Sequence, residues 1–393
     1  MPWDEVSKMD QRRRFIEDHQ LDVMSFSELC RRYGISRPTG YTWLERFADG
    51  GVAALADRSH APHACPHATP AETWEAVRQV RLRHPTWGGK KIRRILTNHG
   101  MTALPAPSTI AAWLTQHGLV APRRRRSPHP HPGQPLAQAT GPNVLWTLDF
   151  KGHFRTGDGL YCYPFTAVDA FSRFILEVRA CLHPTHALVR TAMEQLFHEY
   201  GLPERIRTDN GEPFAGMALA RLSRLAAWFI RLGITPELIE PGHPEQNPRH
   251  ERMHKTLKAE TTRPPARSCR GQQHRFCHWR HEYNELRPHE SLHQDTPASR
   301  YRRSPRPFGG RPRGPEYPGH YEVRRVSRNG GIRWQSRRIP VSQTLIEEYI
   351  GFEAIDDGLW DVYYYHCRLG RFNERLGRII DDQGRAFRHP PRV

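Results

Sequence analysis

Apolar residues recur at helical spacing in the first third of the chain and switch to strand spacing near residue 143 and again near residue 320. Residues 7–20 place Phe15, Ile16 and the following Leu21 on one helical face. The next run, SFSELCRRYGISRPTGYTWLERF over residues 25–47, predicts two helices joined by a tight turn at Gly34. Ser36 is placed to cap the second helix and Pro38 falls in its first turn, while Leu29, Ile35, Trp43 and Phe47 supply a core. This is a helix-turn-helix pattern. Its second helix would present Arg37, Thr39, Tyr41, Thr42 and Arg46 to a DNA major groove. A further helical unit is predicted over residues 72–119 from WGGKKIRRIL and STIAAWLTQHGLV, with Ser108 as a cap and Ile110, Trp113, Leu114 and Leu119 on an apolar face.

Two stretches interrupt the pattern. Residues 59–70 are rich in His, Pro and Ala, and the spacing of His60, His63, Cys65 and His67 matches no zinc site. Residues 121–142, APRRRRSPHPHPGQPLAQATGP, form a linker whose Arg123, Arg124, Arg125 and Arg126 suit phosphate contact. Then VLWTLDFKGHF, LYCYPFTAVDAF and SRFILEVRACL read as three antiparallel strands. A helix over residues 186–200 ends at Gly201, the strand RIRTDNG follows, a helix spans about 218–232, a strand 235–239, and a helix begins near Asn247. The order βββαβαβα predicts an α/β layout with a mixed sheet and helices on its faces. Another helix is expected over 272–286. After a Pro- and Arg-rich stretch at 288–318, alternation around an Asn329-Gly330 turn predicts a small β-barrel or sandwich. The chain is therefore read as multidomain: 1–58, 70–120, a linker 121–142, a core 143–300 and a β domain 315–393.

Charge sharpens this picture. The 393 residues hold 59 Lys and Arg against 41 Asp and Glu, for a formal +18, which points to a polyanionic partner such as nucleic acid. By segment the net charge is −1 over residues 1–50, +9 over 51–148, zero over 149–260 and +10 over 261–393. The positive flanks suggest DNA-gripping modules around a centre built for something else. No apolar run approaches the roughly 18 residues of a membrane span, the N-terminus lacks a signal-like apolar region, and the seven cysteines show no framework spacing. A cytoplasmic, nucleoid-associated protein is expected.

The neutral centre holds the candidate chemistry. Asp149 lies in the first core strand, Asp209 directly follows the fourth, and Glu251 sits in the first turns of the helix after Asn247. First and fourth strands are expected to pair, so Asp149 and Asp209 could converge, and a helix across that edge could bring in Glu251. Three carboxylates without a His or Cys partner suit Mg2+, or Mn2+ in its place, and two such ions can serve an in-line phosphoryl transfer. Asp169, in AVDAFS, is read as a turn former. Glu251, Lys255 and Lys258 are spaced i, i+4, i+7 and share a helix face. Two of the chain's six lysines fall there. With Asn210 beside Asp209, they are the candidate DNA contacts of the core.

The segments WTLDFKG, TAVDAFSR, IRTDNGEPF, PGHPEQNPRHERMHKTLKAE and YNELRPHESL resemble the catalytic core of bacterial insertion-sequence transposases of the DDE, retroviral-integrase-like superfamily. The resemblance covers about residues 140–300, and the paired helix-turn-helix units fit it. It implies an RNase H-like fold, a metal-binding catalytic triad of Asp149, Asp209 and Glu251, and a role for Lys258 in holding transposon-end DNA. Two departures stand out: Pro248 where the family has Gly after Asn, and 41 residues between Asp209 and Glu251, more than is usual.

The expected function is a transposase that binds terminal inverted repeats and catalyses metal-dependent cleavage and strand transfer into target DNA, as at least a homodimer. The alternatives are a decayed transposase acting as a DNA-binding regulator, which Pro248 keeps open, and an RNase H-like nuclease.

Overall fold

A computed structural model of the chain describes residues 7–58, 68–120, 136–150, 152–216, 221–240, 243, 246–309, 314–381 and 384. The arginines at 123–126 and the histidines at 60, 63 and 67 lie outside these residues. The chain divides into two compact units, Met1–Pro70 and Ala71–Val393.

The first unit contains α1 (Lys8–Gln20), α2 (Phe26–Arg32) and α3 (Arg37–Gly50). Serines 7, 25 and 36 cap the three helices, each accepting a backbone N–H three residues on. The turn between α2 and α3 passes through Gly34 at φ +65°, a left-handed conformation that glycine adopts without strain. Phe15, Ile16, Leu29, Cys30 and Leu55 form the core, with Ile35, Trp43 and Phe47 packed against it. Leu21 does not join that face. The helix stops at Gln20 and Leu21 is 69% exposed.

The second unit opens with α4 (Ala71–Arg83), α5 (Gly89–Asn98) and α6 (Pro107–Gln116), packed around Val77, Trp87, Ile92, Leu96, Ile110 and Leu114. The expected cap at Ser108 is not observed: Ala106 is the N-cap residue and Pro107 occupies the first helical position, so Ser108 lies inside the helix. Gly89 allows α5 to approach α6, since a Cβ there would fall 2.2 Å from the Pro107 carbonyl oxygen.

The sheet comprises β1 (Leu145–Phe150), β2 (Phe154–Arg155), β3 (Tyr161–Asp169), β4 (Ile175–Cys181), β5 (Arg205–Thr208) and β6 (Thr235–Leu238). Its order is β4-β3-β1-β5-β6, with β2 extending the sheet beside β3. β1, β3 and β4 are antiparallel neighbours, whereas β1, β5 and β6 run parallel. Trp146, Leu148, Phe165 and Ala167 face α7 (His186–Tyr200) and α8 (Arg224–Arg231). On the opposite face Cys162, Val168 and Val178 meet α9 (Pro248–Thr261) and α10 (Cys269–His281), which continues as a π turn through Glu282–Leu286. The mixed sheet with helices on both faces matches the α/β expectation.

The C-terminal part is an antiparallel sheet of β7 (Glu322–Arg325), β10 (Tyr349–Asp356), β11 (Leu359–Tyr364), β12 (Cys367–Asn373) and β13 (Arg378–Ile380). A hairpin of β8 (Gly331–Trp334) and β9 (Arg337–Pro340) lays Trp334 against Phe352 and Phe372. Among the described residues neither sheet closes into a barrel.

α8 begins after its cap Ser223 rather than near 218. It serves two cores. Leu225, Trp228 and Phe229 enter the core of the six-stranded sheet, while Ala226, Ala227 and Ile230, with Leu222 just before the helix, pack against the C-terminal sheet. This helix takes up 8 of the 41 residues between Asp209 and Glu251.

Replacing Gly89 by Ala should force α5 off α6 and lower stability by roughly 1–3 kcal/mol, read as a fall in melting temperature. An unchanged melt would show that the contact relaxes freely.

Candidate active site

Side chains alternate along a strand. With Trp146 and Leu148 turned towards α7 and α8, Thr147 and Asp149 face α9. The parallel register of β1 and β5 runs from Leu145 opposite Arg205 to Leu148 opposite Thr208. Asp149 is the next residue on β1 and Asp209 directly follows the end of β5, so both leave the same end of neighbouring strands, which in a sheet lie ~4.8 Å apart. Asp149 is part-exposed, with 24% of its side chain accessible. Asp209 is half-buried; burial pushes its carboxyl above the ordinary range, opposed by the Gly211 N–H donated to Oδ1 at 3.2 Å.

α9 crosses this edge. Asn247 occupies the N-cap position and Pro248 the first helical position, where a proline has no hydrogen bond to lose. His250, Met253, His254, Leu257 and Thr261 form its buried face. Glu251, Lys255 and Lys258 are exposed along its flank, as their spacing predicts.

Beneath Asp149 lies a polar cluster that the sequence reading missed. Thr147 Oγ1 lies 2.7 Å from His250 Nδ1, and Thr166 Oγ1 lies 2.7 Å from both His250 Nε2 and His254 Nε2. His254 Nδ1 faces Asp149 Oδ2 at 3.4 Å. Among the described residues, Asp149, His250 and His254 are the acid and imidazole groups close enough to share an ion, with ligand atoms within 4.8 Å of one another. Asp209 and Glu251 are not in that group. Both nitrogens of His250 already meet threonine hydroxyls, so the arrangement works as a hydrogen-bond network rather than an imidazole-rich metal site. The available signal was two histidines four apart in phase with Met253 and Leu257, which places both on the buried side of α9.

Other candidates fall in varied places. Asp169 is a turn former: its carboxylate accepts the backbone N–H groups of Asn143 and Ser172 at 2.8 Å and the Ser172 hydroxyl at 2.6 Å. The Asn210 amide is turned inward, donating to the Ile239 carbonyl and accepting from Arg221. Arg37, Thr39, Tyr41 and Thr42 are exposed on α3. Arg46 departs from the expected outward pose, its guanidinium lying over the Trp43 ring and donating to the Ala56 carbonyl at 2.6 Å. A cavity of about 270 Å3 is lined by Ile206, Thr208, Phe214, Leu225 and Phe229. Ile206 and Thr208 lie on the strand face opposite that of Asp149, so this cavity is not where the carboxylates point.

Models of the integrase core domain match residues 139–244 and 232–297, and models of a helix-turn-helix domain and a homeodomain-like domain match 11–63 and 39–114. The chain carries an integrase core domain. Among similar proteins, the insertion element IS407 uncharacterized 31.7 kDa protein of Burkholderia multivorans is 27% identical over 234 residues, 57% of this chain and 79% of that one. The insertion element IS476 uncharacterized 39.2 kDa protein of Xanthomonas euvesicatoria is 30% identical over 185 residues, 45% of this chain and 49% of that one. A solved HTLV-2 integrase catalytic core domain in complex with magnesium is 17% identical, covering 42% of this chain and all of that one, at a TM-score of 0.34. That likeness is too distant to bear on the site.

Behind the integrase core, the far end of α9 is held by charge. Arg287 donates to both oxygens of Glu260 at 2.9 and 2.8 Å, and Glu260 also accepts from the Trp279 indole at 2.7 Å and from the Thr86 hydroxyl. The second helical unit adds Lys90 to Glu290, Arg94 to Asp295 at 3.2 Å and His84 to Glu282 at 3.0 Å. Lys91 lies in the same region, where burial and then neighbouring Arg287 push its ammonium down to about 8. Part of the positive charge in residues 51–148 is therefore spent on this contact rather than offered to DNA.

Exposure separates the pairs. Arg287 and Glu260 are 7% and 16% exposed, Lys90 and Glu290 60% and 68%. Arg287→Ala should cost about 3–5 kcal/mol by stranding a buried carboxylate, whereas Lys90→Ala should cost less than about 1 kcal/mol. Urea denaturation of both variants checks this, and equal losses would contradict it.

Proposed function

We propose that the chain is an insertion-sequence transposase that binds its element's terminal inverted repeats, cleaves at the element ends and joins them to target DNA. The observation that carries this reading is the register of β1 and β5, which ends one residue before Asp149 on one strand and Asp209 on the other, in an integrase core domain whose α9 carries Glu251 on an exposed flank. The three carboxylates would hold magnesium, or manganese in its place, as one or two ions. Their hard oxygen donors fit such a cation, and the burial cost on the Asp209 carboxyl is one that a nearby cation would offset.

When bound, the metal would supply activation of the attacking oxygen and charge stabilisation at the leaving oxygen of an in-line displacement. The chain's own residues align that chemistry. β1 fixes Asp149, the Gly211 N–H fixes Asp209, and the anchored face of α9 leaves Glu251 exposed beside Lys255 and Lys258. Those lysines would hold the DNA backbone next to the cut. Arg37, Thr39, Tyr41 and Thr42 of α3 are the groove-reading candidates, and Arg123, Arg124, Arg125 and Arg126 would add phosphate contacts. Joining two element ends calls for at least a dimer, acting on DNA in the bacterial cytoplasm. Pro248 does not favour the decayed-regulator alternative, because it occupies the helix position that tolerates proline.

Asp149→Asn should leave binding to element-end DNA intact while strand joining with Mg2+ or Mn2+ falls to the level of a protein-free control. Gel-shift and strand-transfer assays on precut ends read the two separately. Undiminished joining would refute the assignment.

A further inference from the structure

The hydrogen-bond network beneath Asp149 has a direction that proton counting reveals. Each threonine hydroxyl owns one proton, and each neutral imidazole owns one N–H. Let Thr147 donate to His250 Nδ1. His250 then donates from Nε2 to Thr166, Thr166 donates to His254 Nε2, and the N–H of His254 must sit on Nδ1, facing Asp149 Oδ2. In this arrangement each threonine–imidazole contact pairs one donor with one acceptor. The Thr147 proton could turn to the Val168 carbonyl at 3.4 Å, longer than its 2.7 Å contact with His250 Nδ1, and the Thr166 proton to the Asp149 carbonyl at 3.0 Å. Sending the Thr166 proton there would turn a bare lone pair of neutral His254 towards the carboxylate, which is repulsive. Thr147, Thr166, His250 and His254 are 4%, 0%, 1% and 1% exposed, so bulk water cannot replace a missing partner.

We propose that His254 is a positioning residue for Asp149. Its tautomer is fixed by the Thr147–His250–Thr166 chain so that Nδ1–H is turned towards Oδ2 at 3.4 Å and restrains the carboxylate that a cation would meet. The metal aspect of this inference rests on the reading of Asp149 as a ligand; the restraint itself does not. Hydrogen-bonding partners behind metal ligands affect affinity by roughly 10–100-fold.

The test uses the full-length protein and two variants. His254→Leu keeps apolar bulk but removes the donor, whereas His254→Asn retains an amide N–H near the position of imidazole Nδ1. In crystals of the Leu variant, the Asp149 carboxylate should leave its wild-type rotamer, and Mn2+ binding, followed as metal-induced thermal stabilisation, should weaken roughly 10-fold or more. In the Asn variant both should return towards wild type. An unmoved carboxylate in the Leu variant, or an Asn variant as impaired as Leu, overturns the positioning role. A wild-type protein that shows no Mn2+ response would instead sink the metal reading, while the rotamer comparison still decides what His254 does.

Discussion

The orientation of α9 depends on two imidazoles finding two hydroxyls. His250 and His254 are buried on the helix face that meets the sheet, and a buried polar group left without a partner costs about 1–3 kcal/mol. Thr147 on β1 and Thr166 on β3 supply those partners, so the helix cannot rotate about its axis without stranding them. This constraint sets which residues of α9 look outward. Glu251, Lys255 and Lys258 occupy the exposed flank because the neighbouring positions are committed to the sheet. The same strand face that carries Thr147 also carries Asp149, so one set of contacts fixes Asp149 and the helix that bears Glu251.

Glu260 performs the matching task at the other end of α9. Arg287, Trp279 and Thr86 converge on it, joining the integrase core to the second helical unit. The basic residues of that unit thus divide by partner. Lys90, Lys91 and Arg94 lie against core carboxylates, whereas Arg78 and Arg93 remain on or near the surface. A net charge counted along the chain cannot make this division, because it weighs a neutralised lysine and a free one alike.

Much of the layout was legible in the residues. Strand runs around WTLDF, AVDAFS and RIRTDNG, the helix closed by Gly201, and Asn247 with Pro248 at a helix start are local signals, and the structure follows them. The pairing of the first core strand with RIRT was also foreseeable from the element order. What escaped depends on tertiary contact. Arg46 looks like a groove-reading arginine until Trp43 and the Ala56 carbonyl capture it, and Asn210 looks free until Ile239 and Arg221 occupy its amide. His250 and His254 stood in plain view inside the helix, but the carboxylate and lysines beside them drew the functional reading. Their significance emerges only when a threonine from each of two strands arrives opposite them. The small β-barrel or sandwich expected at the C-terminus likewise rested on alternation, which reports strands but not whether a sheet closes.

The double duty of α8 makes the C-terminal sheet more than an appended module. Two turns of helix place Trp228 and Phe229 in one core and Ala226, Ala227 and Ile230 in the other, so neither core can complete itself alone. A chain ending before β7 would leave an apolar stripe of α8 facing water, the kind of surface through which proteins associate wrongly. During synthesis the integrase core would pass through that state until the last strands emerged. The order in which the ribosome releases the chain therefore leaves the α8 stripe uncovered until the C-terminal sheet has emerged.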